Sequence, residues 1–484
     1  MTHFLQTIRG WFNRPVGKTP LYVAVWRWHF YAGIFVIPFM VLLSITGGIY
    51  LFKTEIEQYL YKDLLTVQPL TEGPIAEEKL MAHVKAAFPK GRVLSYTPPA
   101  NPNQSVRMSV LLVSGKAGES KMPAIPAMDG EEGKGGPIDV FVNPYTGQVL
   151  GSQAAKDRIM QTVRNLHGKL LIGTQGEYLI ELAAGWAFVL LVSGLYLWFP
   201  RGKELSVWGT LLPRLRAPGR TFWVDLHAVP SLYLTAGILF LIVTGLPWTL
   251  VSGGFIKQFS DSGREGPSIA RADLFKSMPP GTEACSATEW LSILNSNARP
   301  SLRSQVSRAE KIKLAEVTRI ADSQGLARPY QIAFPKGPTG VYSVRTLPQD
   351  PRLSAFLHLD QYNGKVLGLI RFEQMKVVGQ AVSVGIATHE GRMFGPLNQA
   401  IGVVLCLGIL LIAYSAVVMW WKRRPAGRLG APAAKHAIEM PKGIVALTAL
   451  LGVFFPPVGV SVVLVFLIDR FLLPRLPKLK WVLG

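Results

Sequence analysis

The sequence predicts an α-helical membrane protein with a duplicated four-helix transmembrane core, two external α+β domains and an extra apolar hairpin near the C-terminus. The chain has 484 residues, of which 49% are hydrophobic. It is too long for one ordinary domain and too apolar for a wholly soluble protein. Four segments reach the roughly 20 apolar residues needed to cross a bilayer, and they are residues 30–52, 178–199, 228–251 and 400–421.

The positive charge of the chain is concentrated beside these segments. The net charge is +21, and the flanks 1–28, 200–226, 422–442 and 469–484 hold 19 basic residues against four acidic ones. This is the positive-inside pattern of membrane proteins, so the N-terminus and these flanks are predicted to be cytoplasmic. No basic motif of a nucleic-acid-binding fold accompanies the charge, so the predicted partner is the lipid membrane and not nucleic acid.

The orientation divides the chain into alternating membrane segments and external domains. The two external domains carry similar turn sequences, VNPYTGQVLG at 142–151 and LDQYNGKVLG at 359–368, each typical of a β-hairpin. The predicted boundaries are 1–52 for the N-terminal tail and first membrane segment, 53–166 for the first external domain, 167–199 for the second segment, 200–226 for a cytoplasmic loop, 227–251 for the third segment, 252–388 for the second external domain, 389–421 for the fourth segment, 422–442 for a cytoplasmic linker and 443–484 for the apolar hairpin and basic tail.

Two stretches are less regular than the rest. Residues 114–136 are rich in Gly, Lys, Glu, Pro and Ala and are predicted to form a mobile loop. Residues 444–473 are apolar but are interrupted by Pro456-Pro457. One straight helix would leave the basic tail outside, so a hairpin that turns at the two prolines is favoured, with one helix as the alternative.

Four histidines are the candidate functional residues, and their spacing repeats. His29 and His227 are each followed, 17 residues later, by a Thr-Gly pair. His167 and His389 are each followed by glycine after six residues and by tryptophan after 31. By topology, one pair lies at the cytoplasmic side and the other at the external side, each histidine at the start of its membrane segment.

Paired histidines on facing membrane helices are typical of a haem held from both faces. A metal-transport site is the competing interpretation, but no acid or thiolate accompanies the cytoplasmic pair. Without a CxxCH motif, we expect two non-covalent b-type haems, with propionates near Arg27 inside. Outside, Arg164 and Arg392 are expected to hold propionates, an anionic chelate or both. The other histidines, His3, His83, His358 and His436, have no repeat counterpart and are interpreted as surface or structural residues. Glu177 and Glu181 are secondary candidates for a substrate or proton role.

The motifs WRWHFYAG, SITGGIYLF, VDLHAVPS, the two HxxxxxG segments and the two YxGxVLG turns resemble the PepSY-associated transmembrane family. The resemblance implies two periplasmic PepSY-like domains on a four-helix core in a bacterial inner membrane. It further implies a haem-containing ferric-siderophore reductase linked to iron uptake, with His29, His227, His167 and His389 as ligands of two haem b groups.

The sequence therefore favours an oxidoreductase that carries electrons across the membrane to a periplasmic ferric siderophore or other ferric chelate. No GxGxxG follows a strand, so the electron donor is expected to be quinol or a separate cytoplasmic reductase. The alternative is a non-redox PepSY sensor or protease-regulatory membrane protein, which would need no histidines at these positions.

Overall fold

The structure is a computed structural model. It describes residues 20–112, 136–200, 206–260, 262–263, 266–267, 271–278, 310–424, 430, 452, 455–472 and 475–476. The predicted loop at 114–136 therefore lies outside the described residues except for its last residue. So do His3, His436 and most of the cytoplasmic linker. In chain order the α-helices are α1 (Pro20–Tyr50), α2 (Lys53–Leu60), α3 (Lys62–Leu65), α4 (Glu77–Ala87), α5 (Ile159–Lys169), α6 (Thr174–Trp198), α7 (Arg220–Gly245), α8 (Val251–Ser260), α9 (Leu314–Ser323), α10 (Val377–His389), α11 (Gly395–Arg423) and α12 (Pro456–Leu467).

Four of these helices, α1, α6, α7 and α11, are long and apolar enough to cross a membrane. Helix α1 packs against α6 and α11, and α7 packs against the same two, so α1 and α7 stand at opposite corners of a four-helix bundle. Small residues allow α7 and α11 to approach closely, because a side chain at Gly237 would collide with Leu405 and one at Gly408 would collide with Leu234. Close approach of this kind is a common way for membrane helices to associate.

The two domains that are predicted to be external are joined in one antiparallel sheet. This sheet has eight strands, and four of them come from the first domain. The seam is short and pairs Ser95 with Ala333 and Tyr96 with Ile332. The sequence predicts two separate α+β modules, whereas the structure joins them edge to edge. The strands of the sheet are β1 (Gly91–Thr97), β2 (Val106–Leu112), β3 (Ile138–Val142), β4 (Val149–Ala154), β7 (Tyr330–Ala333), β8 (Val341–Thr346), β9 (Ala355–Asp360) and β10 (Val366–Arg371), whereas β5 (Ser262–Gly263) and β6 (Gly266–Pro267) form a separate two-stranded ribbon. The strand order across the large sheet is β10-β9-β8-β7-β1-β2-β3-β4, so strands β1 to β4 of the first domain lie side by side.

A single hydrophobic core lies beneath this sheet. Buried residues of α4, such as Val84, and of α9, such as Val317, belong to the same cluster as Met108 and Leu357 from the two sets of strands. His358 is buried in strand β9, where its ring stacks on Phe275 at 4.4 Å between ring centres. This agrees with the structural interpretation of that histidine.

His167 and His389 do not begin the spanning helices, which corrects the sequence-based expectation. His167 lies in the last turn of α5 and His389 is the last residue of α10. The chain then breaks before each spanning helix begins. In the first break Leu170 and Leu171 have φ of 51° and 60°, which is rare for residues with a side chain and concentrates at functional sites.

The C-terminal segment packs against the second spanning helix. Trp186 of α6 donates a hydrogen bond to Ser461 of α12 at 3.0 Å. A Cβ added at Gly452 would lie 3.1 Å from the Cα atom of Gly459, whereas seven residues of one straight helix span about 10 Å. Gly452 and Gly459 are therefore not seven residues apart on one straight helix, and α12 begins at Pro456. Most of the first arm of the predicted hairpin lies outside the described residues.

Candidate functional site

The four histidines form two pairs inside the helix bundle. In the inner pair, His29 of α1 and His227 of α7 lie with their ring centres 6.4 Å apart and their planes at 87°. In the outer pair, the corresponding values for His167 and His389 are 6.5 Å and 89°. Each pair joins one histidine from each half of the chain, at nearly the same geometry.

The two pairs stand at different depths in the bundle. Thr46 hydrogen-bonds to His167, so the outer pair lies at the level of Thr46 along α1. His29 is 17 residues earlier on the same helix. At about 1.5 Å of rise per residue, the two pairs are about 25 Å apart along the bundle, which is most of the hydrocarbon thickness of a membrane.

A hydroxyl group fixes the orientation of each outer histidine. The Thr46 hydroxyl donates its only proton to the carbonyl of Leu42 at 2.7 Å, so at 2.9 Å it must accept the Nδ1–H proton of His167. The hydroxyl of Thr244 likewise donates to the carbonyl of Phe240 at 2.6 Å and lies 2.9 Å from Nδ1 of His389. Both imidazoles are therefore assigned as Nδ1–H tautomers with a free lone pair on Nε2.

The inner histidines reach the same state through different partners. Ser193 donates to the carbonyl of Val189 at 2.7 Å and lies 2.9 Å from Nδ1 of His29. His227 instead donates from Nδ1 to the backbone carbonyl of Ile412 at 3.1 Å. A carbonyl can only accept, so all four Nε2 lone pairs are left available to a metal ion, the arrangement that second-shell partners impose on metal-binding histidines.

Glycines keep the space beside three of the rings narrow but open. An added Cβ would lie 3.3 Å from Cε1 of His167 at Gly47, 3.3 Å from Cε1 of His29 at Gly194 and 3.7 Å from Cε1 of His389 at Gly245. All four histidines are partly buried as whole residues. The donor set therefore fits a flat, axially coordinated group: two neutral imidazoles per level, each with a free Nε2 and with small residues alongside.

The two arginines predicted to accompany the outer histidines differ in their exposure and in their contacts. Arg164 is exposed on α5. Arg392 pairs with Glu390 at 2.7 Å and donates to the carbonyls of Pro348 and Gln349 at 3.3 and 3.2 Å. Arg392 therefore ties the outer site to the loop after strand β8.

Beside the inner pair, Arg27 donates to the hydroxyl of Tyr31 at 3.3 Å. At the end of α11, Arg423 lies over the ring of Trp26 at 4.6 Å. Arginines from α1 and α11 therefore lie close to the level of the inner pair along the bundle.

Glu177 and Glu181 have structural partners. Glu177 forms an ion pair with Lys169 at 2.8 Å. Glu181 is 1% exposed and accepts hydrogen bonds from the backbone of Val251 and Ser252 and from the Ser252 hydroxyl. It thereby caps the first turn of α8. Within the part of the chain that the structure describes, no cluster of three metal-ligating side chains occurs.

The residues that the sequence analysis missed are the hydrogen-bond partners of the rings. Thr46 and Thr244 were noted only as spacing markers, and Ser193 and Ser415 were not singled out. A signal existed, because Ser193 follows His167 by 26 residues and Ser415 follows His389 by the same interval. Ser415 lies 3.4 Å from Nδ1 of His227.

The four long apolar helices define the chain as a multi-pass membrane protein. The sequence profile of the family described as the PepSY-associated TM region matches residues 26–423, which is most of the chain and includes all four paired histidines. The chain belongs to this family. No curated protein matches it.

Proposed function

We propose that this protein binds two haem b groups, one between the rings of each histidine pair, and carries electrons across a bacterial inner membrane to a ferric chelate in the periplasm. The observation that carries the proposal is the repeated geometry of the pairs, 6.4 and 6.5 Å between ring centres, with the Nε2 lone pair free on every ring. Each bound haem would supply one-electron chemistry.

The ring separation is the one that axial coordination requires. A metal ion lies about 2 Å from each imidazole nitrogen, and each ring centre is about 1 Å further away, which gives a separation of about 6 to 6.5 Å. Two rings in edge-to-face contact can also lie within about 4.5 to 7 Å. Mere space-filling, however, would not need the same tautomer fixed four times, at two depths.

Two sites about 25 Å apart along the bundle suit an electron path between the two faces of a membrane. The basic flanks favour the His29–His227 level as the cytoplasmic entrance. The His167–His389 level would then face the periplasm, beneath the eight-stranded sheet. Quinol or a separate cytoplasmic reductase would deliver the electrons, since no dinucleotide-binding motif follows a strand.

The residues of the outer site suit an anionic ferric chelate such as a ferric siderophore. The exposed Arg164 lies three residues before His167, and the sheet domain stands over the same level. The residues of this chain would bind the chelate and hold in place the haem that gives up the electron. No proton transfer is needed for the one-electron step itself. The alternative, a non-redox sensor or protease regulator, would use the sheet alone and leaves the histidine pairs without a role.

The test is the haem content of the full-length protein purified in detergent after haem-replete expression. We expect pyridine haemochrome analysis to give close to two b-type haems per chain, and the reduced spectrum to be that of a low-spin bis-histidine centre. The haem should be extractable by acidic solvent because the chain has no CxxCH motif. A haem content near zero in well-folded protein would contradict the proposal and leave the non-redox alternative.

A further inference from the structure

The two halves of the chain differ at the position 21 residues after the inner histidines. In the second half this residue is Trp248, whose ring centre lies 5.7 Å from that of His389, at an angle of 72°. The indole is also 40% exposed. In the first half the residue is Tyr50, whose ring lies under the ammonium group of Lys53 at 5.5 Å. Within the described residues, Trp248 is the single aromatic ring, apart from the histidines themselves, in contact with the outer pair.

Trp248 is held firmly in this position. It ends the short 3₁₀ turn Leu246–Trp248 that follows α7, and helix α8 folds back on that turn so closely that a Cβ at Gly253 would lie 2.8 Å from the carbonyl oxygen of Pro247. The buried carboxylate of Glu181 binds the first turn of α8 from the neighbouring helix α6. Glu181 stands 14 positions after His167, and the residue 14 positions after His389 is Val403. The second half therefore has no carboxylate at the position that corresponds to Glu181.

We propose that Trp248 is the exit contact of the outer site, the residue through which an electron passes from that site to the acceptor. This inference rests on the proposed function and deepens it. A reduced haem held by His167 and His389 would supply one electron, and the ferric ion of an anionic chelate resting against the exposed side of the indole would become ferrous. A rigid aromatic ring packed between the two replaces water along the path and fixes the approach of the acceptor.

The experiment compares Trp248→Leu and Trp248→Phe with the matched control Tyr50→Leu in the full-length holoprotein. Each protein is reduced with dithionite, freed of excess reductant and mixed with ferric citrate, while haem reoxidation and trapped Fe(II) are followed. We expect Trp248→Leu to slow reoxidation by about tenfold, since misplacing a reacting partner by about 1 Å can cost up to about 100-fold. Trp248→Phe should retain more of the rate, and Tyr50→Leu should match the wild type.

The midpoint potential of the outer site separates an exit contact from a merely structural role. Removing the indole admits water beside His389, which favours the ferric state and lowers the potential. A lower potential alone would speed reduction of ferric citrate, whereas loss of the exit contact slows it. A slower rate together with a lowered or unchanged potential supports the proposal.

A wild-type rate in Trp248→Leu with two haems bound would overturn the role of Trp248 and leave the proposed function intact. Should Trp248→Leu lose the outer haem, Trp248→Met carries the test, because methionine fills the space without an aromatic ring, and a wild-type rate in that variant overturns the proposal equally. Failure of the proposed function itself is distinguishable, because the wild-type protein would then hold no haem to reoxidise.

Discussion

The inner and outer histidine pairs have nearly the same ring geometry but are held by different structures. His29 and His227 lie within long uninterrupted helices, nine and seven residues after the helices begin. His167 and His389 lie at the ends of short helices, before breaks that lead into α6 and α11. The outer pair is also tied to the sheet domain through Arg392. The inner site is therefore fixed by the bundle alone, whereas the outer site is placed where the sheet domain can influence it.

The largest expected effect comes from removing one histidine of either pair. His227→Ala should lose the inner haem and keep the outer one, and His389→Ala should do the reverse, because the two levels are about 25 Å apart and share no ligand. Haemochrome analysis should fall from about two haems per chain to about one in each variant. After reduction with dithionite, His227→Ala should still reduce ferric citrate once, whereas His389→Ala should not.

The result for these variants also tests the pairing itself. His29→Ala is the matched control for His227→Ala and should give the same spectrum. Loss of both haems in a variant that still folds, or of neither, would show that the partners are assigned wrongly. Reduction of the chelate without the outer haem would mean that the electron leaves by another route.

The four histidines and the four long apolar helices could be predicted from the sequence, because spacing and hydropathy are local properties of the chain. The contacts that orient the rings could not. Thr46 and His167 are 121 residues apart, and Thr244 and His389 are 145 apart. Only the packing of the bundle brings them together. The equal 17-residue intervals indicated that Thr46 and Thr244 belong to the repeat, but not which ring each one meets.

The sequence also did not reveal that the two domains predicted to be external share one sheet. Strands β1 and β7 share only two paired positions, and either could serve as the exposed edge of a separate sheet. The breaks before α6 and α11 were missed for another reason. Apolar residues such as Leu170, Leu171 and Ile172 continue the hydrophobic pattern across the first break, so hydropathy does not reveal where the helix ends.

A smaller effect is expected from removing the hydroxyl groups that contact the histidine rings, and its size should differ from one ring to the next. Thr244→Val should have a limited effect, because His389 also hydrogen-bonds to the backbone carbonyl of Leu241. Thr46→Val leaves the Nδ1–H group of His167 without its acceptor, which costs about 1–3 kcal/mol, and such outer-shell changes typically weaken metal binding by about 10- to 100-fold. Ser193→Ala should do the same to His29. Ser415→Ala should change little, because His227 keeps the carbonyl of Ile412. The measurement is the rate of haem transfer from each variant to an excess of a haem-free acceptor protein. Equal loss in Ser193→Ala and Ser415→Ala would contradict the assigned hydrogen bonds.

The smallest expected effect is at Gly194, where the two halves of the chain provide their own comparison. An added Cβ at Gly194 would lie 3.3 Å from Cε1 of His29, so the ring must give way by a few tenths of an ångström. The second half already carries alanine, Ala416, at the corresponding position. There His227 lies 3.4 Å from the neighbouring serine hydroxyl, against 2.9 Å for His29.

Gly194→Ala should therefore move His29 away from Ser193 and make the inner site more nearly symmetric, without loss of haem. We expect a weakened Nδ1–H hydrogen bond, a modest rise in the midpoint potential of the inner site because the ligand becomes less basic, and an unchanged outer site. Gly245→Ala is the matched control, because its added Cβ would lie 3.7 Å from Cε1 of His389, an ordinary van der Waals contact. A redox titration that resolves the two haems measures both variants. If Gly194→Ala left the inner potential unchanged while Gly245→Ala shifted the outer one, the packing of the glycines against the rings would not be what tunes the two sites.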